Sequence, residues 1–394
     1  MESKGYRVMA VAPVPFFEDR GTPIRLYEIV RSLQRLGTTT DIYTYHLGRD
    51  VPGMNIVRMP NIPWYKRTSA GANYHKLYLD LILSMKALPA HIGSNYDVIH
   101  AWLHEGVVIS MPMRILKRRP IVFDAQGSLT GEMTAHGFVT SGSFKMRLWK
   151  RMEGFIDKRT DAIISSSTEN AKKIQKMFGV EKEKIHVVCD GVDIERFKPA
   201  RPKPELFRTI GLPRDKKIVV YTGILHTHQG IDIMLEALQK ICEETKDVHF
   251  LVVGFPNVEH YRSMARRLDI GGSVTFTGKV DYKTIQDYLN LGDMAISAKI
   301  LKSGEGNEKI YTYMASGLPT VVFDYHVNRE ALGNLGIYAK PENPHSLAKA
   351  ILDNIFDGKK CTKISEQLRK KAIKDHSWDR VANKVTEVYR TVSE

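Results

Sequence analysis

Short apolar runs alternate along the chain with segments whose apolar residues recur every three or four positions, the pattern of strands and amphipathic helices taken in turn. Residues 7–12 read as a buried strand. A loop with Gly21 follows, then a helix with Thr22 as N-cap and Pro23 at its first position. Leu26, Ile29, Val30 and Leu33 form its apolar stripe, and Gly37 stops it before a strand over 41–45. The alternation continues as a helix over 77–87, a strand over 98–101, a helix over 106–116, a strand over 121–125 and a helix over 144–158. After an Asp190-Gly191 turn and a proline-rich segment at 199–213, it starts again. A strand over 217–221, a loop over 223–230, a helix over 231–242 and a strand over 248–253 open this second series, and 344–356 is a later amphipathic helix. Two such series predict an α/β protein of two Rossmann-like domains facing each other across a cleft, over residues 1–188 and 214–375, with 189–213 as linker. No G-x-G-x-x-G follows the first strand, so nothing supports a dinucleotide site there.

The stretch SGEGNEKIYTYMASGLPTVVFD, at 303–324, is a loop running into a short helix and a buried strand. Asn307 suits the N-cap of a helix over about 308–316, Gly317 the left-handed position past its end, and Pro319 prevents continuation. Lys309 then falls in the first turn, where the helix dipole disfavours a cation and exposed amides attract anions. An anion bound at that end accounts for it, and so does neutralisation by Glu305 and Glu308 on a solvated surface.

The segment KIYTYMASGLPTVVFD resembles the C-terminal signature of the family 4 glycosyltransferases, through Met314, Ala315, Ser316, Gly317, Leu318 and Pro319. VVCDGVDIERFKP at 187–199 is similar to that family's interdomain linker, and HSWDRVANKVTEVYRTV at 376–392 to its tryptophan-led terminal helix. The resemblance implies the GT-B architecture, with an acceptor-side first domain, a nucleotide-sugar second domain, and the C-terminal helix 376–394 returning to the first. It further implies a retaining transfer from a UDP- or GDP-sugar to an acceptor hydroxyl, with no cofactor and no obligatory metal.

Three places depart from the family pattern. Of its paired glutamates, the first position is Gly304, with Glu305 one residue on, and the second is Thr312. Gln126 replaces a histidine after the strand at 121–125, and a glutamine can hydrogen-bond a sugar hydroxyl but cannot accept a proton. In the loop GILHTHQG, Ile224 and Gln229 stand where the family places the arginine and lysine that hold pyrophosphate. A departing diphosphate still demands positive charge, and Lys309, His228 and Arg25 are the candidates. The expected site therefore has Gln126, Glu305 and Lys309 as catalytic groups. Around the donor it has Gly21, Thr22, Gly223, His228, Gln229, Gly304, Gly306, Asn307, Glu308 and Thr312, and on the acceptor side Arg25, His104 and Glu105. A lone His104-Glu105 pair is more often a surface hydrogen-bond pair than a catalytic one, and His226-Thr227-His228 has no identifiable partner ligand that would make a metal site.

Composition adds partners and place. The 394 residues, 43% hydrophobic and 26% charged, are those of a globular protein with room for two cores. Cys189, Cys242 and Cys361 fit neither a disulfide framework nor a zinc pattern, and the N-terminus lacks a signal peptide's apolar centre, so a cytoplasmic protein is expected. The formal charge of +14 asks for a polyanionic partner, while no nucleic-acid recognition module is visible. Residues 144–158 interleave Lys145, Arg147, Lys150, Arg151 and Lys158 with Phe144, Leu148, Trp149, Met152, Phe155 and Ile156. Such a helix either lies on an anionic membrane surface or packs its apolar side on the sheet, the second being the simpler expectation. With Trp64, Tyr65, Lys66 and Arg67 it suggests a glycan or lipid-linked acceptor and a peripheral place on the inner membrane face. Two rival functions fit the same architecture: a nucleotide-sugar epimerase, and a non-catalytic nucleotide-sugar-binding protein.

Overall fold

Strands that are apolar on both faces need helices over both, and the chain meets that demand twice. The computed structural model describes residues 5–18, 21–68, 73–135, 139–140, 142–301 and 306–394. Its first half runs β1 (Arg7–Ala12), α1 (Gly21–Arg35), β2 (Thr39–Thr44), β3 (Asn55–Arg58), α2 (Lys76–Gly93), β4 (Val98–Trp102), α3 (Leu103–Leu116) and β5 (Ile121–Ala125). Then come α4 (Leu129–Ala135), α5 (Phe144–Lys158), β6 (Ala162–Ser165), α6 (Thr168–Phe178) and β7 (Ile185–Val187). The second half runs α7 (Pro204–Thr209), β8 (Lys217–Ile224), α8 (Ile231–Glu244), β9 (Val248–Phe255), α9 (Val258–Arg267), β10 (Val274–Gly278), α10 (Ile285–Leu289) and β11 (Met294–Ser297). It ends with α11 (Lys309–Ala315), β12 (Thr320–Phe323), α12 (His326–Leu332), β13 (Ile337–Ala339), α13 (Pro344–Ile355), α14 (Gly358–Asp375) and α15 (Trp378–Ser393).

Two compact units result. One holds the residues up to Asp190, with Gly306 and Trp378–Glu394; the other runs from Gly191 to residue 301 and from Asn307 to Ser377. The first carries a seven-stranded parallel sheet in the order β3-β2-β1-β4-β5-β6-β7, the second a six-stranded parallel sheet in the order β10-β9-β8-β11-β12-β13. Both begin at a central strand and build outward to each side, the doubly wound plan. In β1 the side chains alternate between two cores: Met9 and Val11 pack with Ile99 and Phe123, Val8 and Ala10 with Val98 and Val122. That second core is closed by α1 and by α15, which brings Val381, Val385 and Tyr389 to it. There the hydroxyl of Tyr389 hydrogen-bonds His100 Nδ1 at 2.7 Å.

Several boundaries differ from the sequence pattern, each for a local reason. The helix read from 77 to 87 runs on to Gly93, with Pro89 on its exposed side. Helix α1 starts at Gly21, so Thr22 and Pro23 lie inside its first turn, and the Thr22 hydroxyl turns to Gln126 Oε1 at 2.6 Å instead of capping. Helix α3 starts at Leu103, which places His104 and Glu105 on the helix. Asn307 is no side-chain cap either. Helix α11 begins at Lys309 with Glu308 at the N-cap, and the buried Asn307 amide bonds Ser297 Oγ at 3.1 Å and Asn328 Oδ1 at 3.0 Å. Gly317 does adopt the left-handed conformation, φ +66°, and a Cβ there would stand 2.8 Å from Ser365 Oγ. Helix α14 went unread because half of its residues are charged and only Leu368 and Ala372 are buried.

Helix α5 meets the expectation of a core-packed apolar side only in part: Ile156 is buried in the core and Trp149 packs against it, but most of the other apolar residues face outward. Phe144, Leu148, Met152 and Phe155 are 73, 58, 40 and 52% exposed, while Glu153 and Asp157 are buried. Glu153 is held inward because it accepts from the Leu129 and Thr130 amides, at 3.0 and 2.9 Å, satisfying the donors that open α4.

Replacing Tyr389 by Phe should cost about 1–3 kcal/mol of stability, since it strips His100 of its buried partner while leaving the ring packing intact. Urea unfolding would measure this, and an unchanged midpoint would show that the bond contributes nothing.

Candidate functional site

In a parallel sheet, the turns that leave the carboxyl ends of the strands are where ligand groups gather. In the second unit the central such turn follows β8. Gly223 sits at φ +140°, and Thr227–Gln229 form one turn of 3-10 helix before Gly230, at φ +71°. A Cβ on Gly230 would fall 2.1 Å from the Ala298 carbonyl oxygen, while Gly223 is required by its backbone conformation, with Lys309 Cε 3.2 Å from where a Cβ would stand. His226 and His228 turn their Nδ1 atoms toward each other at 2.8 Å, so the two rings share a hydrogen bond. Among the described residues no group of three His, Cys, Asp or Glu is arranged to hold a metal.

Lys309 reaches this turn from α11. The helix is pinned to β8 by Tyr313, whose hydroxyl oxygen accepts the Thr222 amide at 2.9 Å. Lys309 lies one turn earlier on the same face. Its ammonium donates to Gln229 Oε1 at 2.5 Å and lies 5.0 Å from the centre of the Tyr221 ring. Burial, with Lys299 nearby, lowers its pKa from 10.5 to about 7, and Glu308 opposes this only in part. Half-buried against a neutral amide and a ring, this ammonium is short of negative charge. Thr312 is half-buried, Glu308 is exposed, and Gly306 is buried. Gly304 and Glu305 lie outside the described residues.

In the first unit the turns after β1, β4 and β5 carry the remaining candidates. Gln126 follows β5; its Oε1 accepts from Thr22, beside Gly21, and its buried Nε2 has no hydrogen-bond partner among the described residues. Arg25, one turn into α1, is 2% exposed and fully engaged. Nε and Nη2 bond Asp124, Nη1 bonds Asp190 Oδ1 at 2.5 Å, and Nη2 also bonds the Val188 carbonyl. Burial alone would lower its pKa, but the two carboxylates hold the guanidinium above its ordinary value. Arg25 is thus a buried structural cation, whose donors serve Asp124, Asp190 and the backbone.

His104 is turned inward from the first turn of α3, with Nε2 3.4 Å from Asp157 Oδ1 and 3.8 Å from Glu153 Oε1, and its ring edge-on to Phe123. A cavity of about 40 Å³ beside it is lined by Gly127, Ser128 and Asn170 as well. Burial would press its pKa down, but Asp157, Glu153 and Glu105 outweigh that and raise it above 6.5. Glu105 is half-buried and paired with Lys76 at 2.7 Å. The two neighbours in sequence therefore belong to different networks. Sequence reasoning missed Asp80, which burial and the charge of Glu105 push to about 7 against its bond from Tyr45. A lone carboxylate among the leucines of α2 was the only signal. It missed Asp124, Glu153 and Asp157 too, whose partners lie on other elements.

Residues 202–371 match the family model described as glycosyl transferases group 1, and residues 20–196 that described as glycosyltransferase family 4. An uncharacterized glycosyltransferase of Methanocaldococcus jannaschii is 21% identical over 383 residues, 95% of each protein. Sucrose-phosphate synthase from Thermosynechococcus elongatus superposes with a TM-score of 0.78 at 16% identity, over 98% of each chain. HepE of Anabaena, in complex with UDP and glucose, gives 0.76 at 17% identity, over 98% of this chain and all (100%) of that one.

Two predictions follow from the charged networks of the first unit. Arg25→Ala leaves Asp124 and Asp190 buried without their cation and should destabilise by about 3–5 kcal/mol in chemical denaturation, a loss below about 1 kcal/mol contradicting the ion cluster. His104 has a raised folded-state pKa, so the stability it adds is fully present below the unfolded value near 6.5 and disappears as pH rises through the folded one. The stability gap between wild type and His104→Asn should therefore be wider at about pH 5.5 than at about pH 9. A gap independent of pH would mean that His104 titrates alike in the folded and unfolded states, and a gap wider at high pH that burial keeps it neutral in the fold.

Proposed function

The chain belongs to the family 4 glycosyltransferases, of GT-B fold, and on that premise we propose that it moves a sugar from a UDP- or GDP-sugar to a hydroxyl of a glycan or lipid-linked acceptor, retaining the anomeric configuration and using no metal ion. The observation that carries this is the position of Lys309. The turn after β8 lacks the family's lysine at Gln229, yet an ammonium arrives there all the same, donated to the Gln229 amide by α11. Substitution at one position is matched by a cation from another. The complex of the similar HepE protein with UDP and glucose supports a nucleoside diphosphate as the ligand class.

In this reading the second unit binds the nucleotide and its phosphates around Gly223, His228, Gln229, Asn307, Glu308 and Thr312. Lys309 opposes the charge that builds on the diphosphate as the glycosidic bond to it breaks. With a pKa of about 7, the amine takes up a proton as that charge approaches, so its full attraction is exerted when it is needed. Glu305, two residues ahead of Asn307, is the candidate for the sugar hydroxyls. In the first unit Gln126 offers its unpartnered amide N–H to a sugar hydroxyl, oriented by Thr22 next to Gly21. His104 and Glu105 contribute on the acceptor side. Alignment of the two substrates supplies the rest of the acceleration.

Lys309→Ala should weaken binding of the cognate nucleoside diphosphate by about 1–3 kcal/mol in calorimetry, as for a charge-assisted contact. The anion favours the protonated amine, so wild-type affinity should decline as pH rises from about 7 to about 9, with proton uptake on binding, while the variant should be flat. An unchanged affinity in Lys309→Ala would remove the lysine from the site. A melting-temperature panel of UDP, GDP and ADP with their sugar conjugates, with and without chelator, tests the wider proposal. A chelator-insensitive rise with one diphosphate family is expected, and no rise with any would favour a protein that has lost donor binding.

A further inference from the structure

Helix α5 is built inside out for a helix that meets only water. Its stripe at Phe144, Leu148, Met152 and Phe155, spaced by four, four and three residues, points outward, and both of its acids, Glu153 and Asp157, are buried. Every other ionisable side chain on it is a cation, and Lys145, Arg147, Lys150, Arg151 and Lys158 are all exposed. The guanidinium of Arg159, at its C-terminal end, lies 4.7 Å from the Phe155 ring centre. Between α5 and α6 opens a groove of about 390 Å³, lined by Lys150, Arg151 and Lys158 together with Phe155, Met177 and Phe178. It joins cations to apolar surface within one concavity.

The feature extends beyond one helix. Helices α2, α3, α5 and α6 pack in succession, α2 on α3, α3 on α5 and α5 on α6. Together they carry twelve of the eighteen large apolar side chains that are exposed among the described residues. Exposed apolar side chains gathered on helices that pack side by side point to an interaction face. Its charge selects the occupant. A second copy would set the cations of two α5 helices against each other, whereas an anionic lipid surface neutralises them and takes the aromatic and aliphatic side chains into its acyl boundary.

We propose that α5, with the groove between α5 and α6, is a docking surface for an anionic lipid membrane. Phe144, Leu148, Met152 and Phe155 enter the interface, and Lys150, Arg151 and Lys158 hold lipid phosphates in the groove. No helix among the described residues is long and apolar enough to cross a membrane, so the attachment is to one surface of the bilayer. The surface is independent of the donor chemistry at Lys309, and its test reads binding alone.

The full chain is co-sedimented with vesicles of phosphatidylcholine alone and of phosphatidylcholine mixed with phosphatidylglycerol. Binding to the mixed vesicles only, weakening as salt is added, is expected. The triple variant Lys150→Gln, Arg151→Gln, Lys158→Gln should bind them on the order of a hundredfold more weakly, and Leu148→Ser with Phe155→Ser should also lose binding. All five side chains are exposed, so each variant should melt at the wild-type temperature. Equal binding to neutral vesicles, binding to neither kind, or variants that bind like wild type would overturn the proposal. So would a dimer in light scattering that Phe155→Ser dissolves, since the face would then belong to a second copy of the chain.

Discussion

The constraint on which the rest depends is that all strands of each sheet run the same way. A parallel sheet buried on both faces leaves functional groups one kind of place, the turns that leave the carboxyl ends of the strands. Gly21, Thr22 and Arg25 follow β1, His104 and Glu105 follow β4, and Gln126 follows β5. In the second unit Gly223 lies at the carboxyl end of β8, His228 and Gln229 follow it, and Asn307, Lys309 and Thr312 follow β11. Since β8 and β11 are neighbours, a side chain from one turn is delivered to the other. Lys309 meets Gln229 across 80 residues of sequence for that reason.

Within that frame, what surrounds a buried cation decides what it can do. Arg25 and Lys309 both looked like candidates to oppose a diphosphate. Arg25 has two carboxylates and a backbone carbonyl, its pKa is raised, and releasing any of these partners would strand a charge in the interior. Lys309 has an amide oxygen and a ring face, and its pKa is lowered to about 7. The first cation is satisfied and serves the fold. The second has no anion in hydrogen-bond contact among the described residues and gains most when a ligand brings one. The same contrast separates His104, whose charge Asp157 and Glu153 stabilise, from Gln126, whose amide nitrogen is left unpartnered.

Much of this was legible in the sequence because it is local. The strand and helix periods, the left-handed Gly317 after α11 and the linker signature each depend on a few neighbouring residues. The long-range partners were not legible. Asp124 and Asp190 lie 99 and 165 residues from Arg25, and nothing near Arg25 announces them. Helix starts were misjudged where a capping residue had a stronger long-range partner, as Thr22 had in Gln126 and Asn307 in Ser297 and Asn328. A short polar side chain satisfies whichever backbone or side-chain group the fold brings closest, so capping propensity alone misplaced both ends.

Helix α5 shows why hydrophobic periodicity finds a helix without finding its inner face. The pattern at 144–158 fixed the element to the residue, yet the side turned inward is the one holding Glu153 and Asp157. Burying two carboxylates is costly unless each is hydrogen-bonded or paired with a charge, and here the Leu129 and Thr130 amides donate to Glu153 while His104 pairs with Asp157 at 3.4 Å. Once these acids are anchored, helical geometry leaves the apolar stripe no route into the core. An unstable exposed stripe beside five cations is the cost that the fold accepts at this surface, and an anionic bilayer is the environment in which stripe and cations are satisfied at once.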